Sequence, residues 1–275
     1  MPTFMPRRLS RAVSGCSALL LCIALAACGT TYAVPVASPG GAQGTSVAAS
    51  SGGAARSRGD FNRVVSRVEP VAESFCREEA PSAPAGYCDF KIVYDGDASS
   101  PPNAYQTRDK NGGPVIVMTA SLLGEMRSND EIAFVLSHEA AHHIARHIPK
   151  QQQSQVFGAL VLGGLAAAAG GQYATEQGIQ DAMDIGAFVG GRAYSQNYEL
   201  EADWLGAFIA ARAGYDPEKG AQIFSRPALR SGGGPVLLAT HPGSPQRLAL
   251  VSSAAAEIRR QQAQGLVPRP AYAGR

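Results

Sequence analysis

His138-Glu139-Ala140-Ala141-His142 reads H-E-x-x-H, and these residue types at this spacing point to metal-assisted hydrolysis. On a helix, positions i and i+4 share a face, so both imidazoles can reach one metal ion. Glu139, beside the first histidine, then stands where it can take a proton from water at the metal's open position. By average residue usage, chance gives this pattern in roughly one chain of this length per hundred. The surroundings lower that further: residues 130–138 carry an apolar helical stripe, and Ser128 with Glu131 makes a capping box that starts the helix. The chain has 5 histidines, and His138, His142, His143 and His147 all fall on this one predicted helix. At 100° per residue His143 and His147 leave the His138/His142 face, so they read as structural or solvated. The competing reading is an ordinary amphipathic helix whose histidine pair is solvated or satisfied in the core.

Catalytic zinc keeps three protein ligands and one open position, so a third donor is needed from another element. Glu199-Leu200-Glu201-Ala202-Asp203 is the best source. It opens a second amphipathic helix through Trp204, Leu205, Phe208 and Ile209, with Glu199 and Asp203 on one face. Glu199 can bind the metal while Asp203 accepts a hydrogen bond from the far nitrogen of a ligand histidine, fixing its tautomer and orientation. Glu201, two residues on, points elsewhere. The bland alternative is an acidic first turn that complements the helix dipole.

H-E-x-x-H followed by E-x-x-A-D resembles the gluzincin metallopeptidases of family 48, related to the CAAX prenyl endopeptidases, and most of all their periplasmic BepA-like and Oma-like members. The resemblance runs from about Phe61 to about Ala256. Asn103-Ala104-Tyr105 is similar to the family's N-A-aromatic segment, and Tyr194-Ser195 precedes the glutamate motif at the family spacing. Ala213-Gly214-Tyr215-Asp216-Pro217 follows its helix as is usual there, and Thr240-His241-Pro242 with Arg247 matches T-H-P-x-x-x-x-R. The resemblance implies that His241 and Arg247 face the active site, where their chemistry suits an oxyanion. In some periplasmic relatives the equivalent histidine instead takes the open zinc position and holds the enzyme at rest. The residues do not choose between these roles, and a plain loop histidine with an exposed arginine is the third reading.

The mechanism expected is then hydrolysis of a peptide bond, with His138, His142 and Glu199 holding one Zn²⁺ and Glu139 as general base. By resemblance the substrates are misfolded or stalled outer-membrane proteins, and the partners are unfolded envelope polypeptides and outer-membrane assembly machinery. Two other classes stay open: a periplasmic chaperone or assembly-binding lipoprotein with latent protease activity, and a small-peptide hydrolase. A pure binding module has no need of Glu139.

The N-terminus carries an address. Arg7, Arg8 and Arg11 form a basic region, residues 18–25 a short apolar core, and Leu25-Ala26-Ala27-Cys28 a lipobox. The apolar run is too short and wrongly flanked for a strong spanning helix, so a removable signal is expected. The pattern is similar to a bacterial lipoprotein signal, with cleavage before Cys28 and lipidation of that cysteine. An ordinary signal peptide cut near Ala27 is the alternative. Gly29 rather than aspartate after Cys28 favours the outer membrane, facing the periplasm, by the rules of that resemblance, and multiple acyl chains would anchor it stably. Only Cys76 and Cys88 lie beyond the signal region. In an oxidising compartment, two cysteines bracketing a short Pro-rich loop suggest one disulfide, the alternative being two free buried thiols.

These residues need elements to position them. The fold expected is α+β: a mostly helical, zincin-like domain with a small β-sheet. Its divisions are a signal at 1–27, a flexible Gly/Ser/Ala tether at 28–60, a peptidase domain at 61–260 and a disordered tail at 261–275. Helical periodicity covers residues 61–79, strands fall at 87–94, 105–107 and 114–118 with a turn at Asn111-Gly112-Gly113, and a short helix covers 120–126. By analogy, one edge of the sheet binds substrate as an added strand, and residues 115–118 are the candidate. The apolar, Gly-rich stretch 156–171 reads as a helix packed on the domain or lining the cleft; a membrane- or partner-touching surface is the sharper alternative. Ser231-Gly232-Gly233-Gly234 reads as a mobile connection to the His241 loop. A net charge of +2 over 275 residues, without a basic stripe, speaks against nucleic acid. No G-x-x-x-x-G-K-[ST] occurs, so no nucleotide coupling is expected.

Overall fold

The structure, a computed structural model, describes residues 31–32, 34–35, 55–193, 195–225, 241 and 244–271. The signal at 1–27, Cys28, most of the tether, Tyr194, the 231–234 connection, and Thr240 and Pro242 of the T-H-P segment lie outside the described residues. The chain forms two compact units, one built on residues 149–194 and the other on 30–148 with 195–275.

In the larger unit, helix α1 (Arg58–Glu79) starts at Ser57, whose side chain takes the Asp60 N–H while Asp60 returns the bond to the Ser57 N–H. Its apolar face, Phe61, Val64, Val68, Ala72 and Phe75, is buried at helical spacing. A disulfide joins Cys76 on α1 to Cys88, with the two Cα atoms 5.6 Å apart. Three strands follow: β1 (Lys91–Asp95), β2 (Ala104–Arg108) and β3 (Pro114–Thr119). The first is shorter than the sequence suggests, because residues 85–88 turn instead of extending. Asp109 organises the β2–β3 turn, its carboxylate accepting from the N–H groups of Asn111 and Gly113 at 2.8 and 2.9 Å, and Gly112 supplies the positive φ of 84° that the turn needs. The order is β1-β3-β2, with β1 parallel and β2 antiparallel to β3. Residues 115–118 therefore lie in the central strand, with both edges already paired, and cannot take up an added strand; the sequence expectation on that point is corrected.

Helix α2 (Ala120–Glu125) leads into α3 (Asn129–Ile144), which carries H-E-x-x-H. Ser128 caps α3 by accepting the Glu131 N–H at 3.2 Å, while the Glu131 carboxylate reaches back to the Arg127 N–H at 2.7 Å. Every residue of α3 from Glu131 to Ile144 is buried, so this is an interior helix rather than one with a single apolar stripe. It packs on α6 (Ser195–Arg212), where Gly206 lets the two backbones approach: a Cβ there would lie 3.0 Å from the His138 nitrogen. Helix α6 begins four residues before Glu199, so its acidic residues are not a first-turn feature. It ends in a left-handed cap at Gly214, φ 86°, with the Tyr215 N–H bonded to the Ala210 carbonyl at 3.0 Å. The short α7 (Pro217–Gly220), capped by Asp216, and α8 (Pro245–Ala263), capped by Ser244, complete the unit. Helix α8 runs to Ala263 and the chain then lies back on the body: Arg212 Nε donates to the Pro268 carbonyl at 2.8 Å, and Arg269 pairs with Glu78 at 2.9 Å.

The smaller unit is a helical hairpin of α4 (His147–Ala169), whose first two residues belong to the larger unit, and α5 (Glu176–Ala193). A 3₁₀ turn, Gly171–Tyr173, joins them. Residues 156–169 of the 156–171 stretch are thus helical, and their tight partner is α5. A Cβ added at Gly158 would stand 2.0 Å from the Gly186 carbonyl oxygen, one at Gly186 2.1 Å from the Gly158 oxygen, and one at Gly190 2.2 Å from the Ser154 oxygen. Val156, Leu160, Leu165, Ile185 and Phe188 on this hairpin are exposed. No helix among the described residues is long and apolar enough to cross a membrane.

Candidate metal centre

Four side chains bring one ligand atom each to within 4.8 Å of one another: His138, His142, Glu199 and His241, all buried. The first two come from α3 at i and i+4, Glu199 comes from the second turn of α6, and His241 enters just before α8. The Nε2 atoms of His138 and His142 are 3.0 Å apart, and the Glu199 carboxylate lies 3.3 Å from each. His241 Nδ1 is 3.2 Å from His138 Nε2 and 2.9 Å from Glu199. Its Nε2 lies 3.5 Å from the Glu139 carboxylate.

The arrangement fits a cation. His138 Nδ1 faces Asp203 at 2.9 Å, so its ring proton belongs on that side and Nε2 presents a lone pair to the cluster. His142 Nδ1 likewise faces another ring, His147 Nδ1, at 2.8 Å. Two imine nitrogens 3.0 Å apart and a carboxylate then point at one spot, a geometry that repels unless positive charge sits between them. Glu139, Glu199 and Asp203 are buried here against one buried guanidinium, Arg247. The carboxylates place the same demand for positive charge on the His138 ring itself. Burial opposes charge on His138, yet its bonds to Asp203 and Glu199 carry its pKa up to about 9. Burial also opposes charge on Glu199, yet His142 and His241 hold its carboxyl well below the usual range. Asp203 is lowered against its own burial by Arg247. His142 is lowered by burial, and Glu199 only partly offsets this.

Arg247 grips Asp203 with two nitrogens, at 2.5 and 2.7 Å, and donates to the His241 carbonyl at 3.1 Å. Its guanidinium also lies 3.3 Å from Glu199 and 3.8 Å over the Phe224 ring. It is 2% exposed, so it is an interior brace, not an exposed loop charge.

His143 turns away from the cluster. It packs against Tyr87 and Phe90, its Nε2 lies 2.8 Å from the Tyr87 carbonyl, and burial pushes its pKa down to about 4. His147 is where helical extrapolation fails. Helix α3 stops at Ile144, and Arg146 adopts a φ of 60°, so His147 begins α4 and swings back onto His142. On its other side His147 Nε2 meets Glu201 at 2.9 Å. Sequence periodicity holds no signal for this, because the reversal depends on one left-handed residue.

Residues 61–255 match the profile of Peptidase family M48. The mitochondrial metalloendopeptidase OMA1 of Saccharomyces cerevisiae is 31% identical over 166 residues, covering 58% of this chain and 45% of that protein. The protein of the same name from Arabidopsis thaliana is 29% identical over 147 residues, 52% of this chain and 28% of that one. The beta-barrel assembly-enhancing protease of Escherichia coli K12 is 27% identical over 166 residues, 54% and 32%. The chain spans less than half the length of these relatives.

Proposed function

The chain belongs to peptidase family M48, and from that premise we propose that it is a zinc-dependent endopeptidase. The observation that carries this reading is the convergence of lone pairs from His138, His142 and Glu199 on one buried spot beside Glu139. These three residues hold Zn²⁺, which when bound supplies Lewis-acid polarisation of the scissile carbonyl and of water. Glu139 takes the proton of the attacking water and passes it to the leaving amine. Asp203 fixes the His138 ring, and Arg247 neutralises Asp203 while holding the His241 segment by its carbonyl. That engagement favours a bracing role for Arg247 over direct contact with an oxyanion. The seat of His241 among the ligand atoms favours the resting latch over an assisting donor. It also supports latent activity, and so gives the chaperone-like reading its one foothold.

An extended substrate needs a free strand edge. The β1 edge receives the Glu69 carboxylate of α1 on the Ile92 N–H at 3.3 Å. The outer edge of β2 pairs with no strand among the described residues, and Gln106 on it lies 3.5 Å from His143 of the active-site helix. We assign substrate addition to β2. The lipobox, the Cys76–Cys88 disulfide and the name of the E. coli relative support a periplasmic outer-membrane lipoprotein anchored at Cys28. On this reading it cuts misfolded or stalled envelope proteins, with outer-membrane assembly machinery as a partner.

The test is digestion of casein by the zinc-loaded chain beside its Glu139→Gln twin. Internal fragments from the first, and a rate lower by about 10²–10⁴-fold from the second with zinc retained, are expected. Equal cleavage by both removes Glu139 as the base; no cleavage by either, with zinc bound, points to a His241-latched resting enzyme or a binding module, and cleavage by His241→Ala separates the two.

A further inference from the structure

Behind the ligand set runs a second buried line of polar groups that the hydrolytic scheme does not use. His142 Nδ1 meets His147 Nδ1 at 2.8 Å, and His147 Nε2 meets Glu201 Oε2 at 2.9 Å. The other Glu201 oxygen accepts the backbone N–H of Tyr32 at 2.8 Å and also that of Thr31. His147 is 3% exposed, Glu201 0% and Tyr32 2%. The His147 ring is also stacked on Tyr198, at 4.6 Å between centroids, which fixes its plane.

The protons along this line can be placed in only one consistent way if His142 is a metal ligand, and the inference rests on that reading. A ring that offers its Nε2 lone pair to a metal carries its proton on Nδ1. That proton is donated to His147 Nδ1, which must then be bare. His147 keeps its own proton on Nε2 and donates it to Glu201. The carboxylate ends the line as an acceptor of three N–H groups, two of them from backbone that precedes α1 by more than twenty residues. All donors point from the ligand toward the carboxylate, and Thr31 and Tyr32 give one Glu201 oxygen two backbone donors that offset its burial.

We propose that His147 and Glu201 are positioning residues for the ligand His142, and that seating of Thr31–Tyr32 on Glu201 completes the line, so that metal affinity depends on the docked N-terminal segment. The chain arriving at the body from its N-terminal side is thereby part of the metal site's support.

The experiment is zinc titration of the full chain against a chromophoric chelator, which needs no peptidase activity. His147→Phe is expected to weaken zinc binding by about 10–100-fold, the usual effect of removing a partner behind a ligand histidine. His147→Gln, whose amide can both accept and donate, recovers part of the loss, which a purely space-filling role would not give. Thr31→Pro removes one backbone donor and weakens binding less than His147→Phe does. The Thr31→Pro/His147→Phe double variant is no weaker than His147→Phe alone, because the line is already cut. Unchanged affinity in His147→Phe, or losses that simply multiply in the double variant, overturns the proposal while leaving the ligand set intact. Failure of the unsubstituted chain to bind zinc overturns both. Should His147→Phe not fold, His147→Gln and Thr31→Pro carry the same comparison.

Discussion

His241 separates the working reading of this site from its resting one. In the structure its ring closes the group of ligand atoms, 2.9 Å from Glu199 and 3.5 Å from Glu139, where a substrate carbonyl and water would have to enter. His241→Ala is therefore expected to raise the rate of casein cleavage at saturating zinc and to weaken zinc binding. A fall in rate at saturating zinc would give the ring an assisting role instead. At this scale the sequence was a good guide to which side chains meet wherever that follows from spacing within one helix. His138 and His142 lie at i, i+4, as do Glu199 and Asp203, and the structure brings these four together. It was blind where geometry comes from elsewhere. His147 is redirected by the φ of Arg146, and Glu201 acquires its partners from a segment about 170 residues away in sequence. Arg247 faces the site as the resemblance implies, 3.3 Å from Glu199, but its guanidinium is engaged by Asp203. A buried guanidinium goes to the nearest buried carboxylate, a preference that motif spacing does not encode.

Among the elements, α3 and α6 set the distance between the two halves of the ligand set. Gly206 is what allows that distance, since a Cβ would stand 3.0 and 3.1 Å from the His138 nitrogen and Cα. Gly206→Ala should cost about 1–3 kcal/mol through forced separation of the helices. It should also weaken zinc binding, because the backbone that shifts carries a ligand; a denaturant midpoint and the same chelator titration read the two effects. The start of α3 was legible because its cap at Ser128 is local, whereas the caps at Ser57 and Ser244, equally local, went unread, and the helix that Ser244 begins was missed with it. The sheet was legible as strands and a turn but not as an order. Strand order is a non-local fact, and it moved the central position to β3, away from the edge role first assigned to it. The segment after Ala263 looked structureless for want of periodicity, yet Pro268 and Arg269 are held by Arg212, Glu78 and Gln261, contacts that need no repeat.

For the whole molecule, the Cys76–Cys88 bond pins α1 to the sheet side of the larger unit across a separation of 12 residues. By loop-closure reasoning, replacing both cysteines with serine should lower stability by about 3 kcal/mol. The unsubstituted chain should melt lower in dithiothreitol, and the double variant should show no such response; a melt indifferent to reductant in the unsubstituted chain would rule the bond out. The smaller unit teaches a different lesson. Its sequence, with Gly-Gly pairs and a run of alanines, has the look of filler whose letters could drift freely. Gly164 can: nothing lies within 4 Å of where its Cβ would be. Gly158, Gly186 and Gly190 cannot, because each has the backbone of the opposite helix where a methyl group would go. Across descendants of this chain, identical letters a few positions apart would thus carry opposite histories, one eroding quietly and the others kept under purifying selection for as long as the hairpin stays closed.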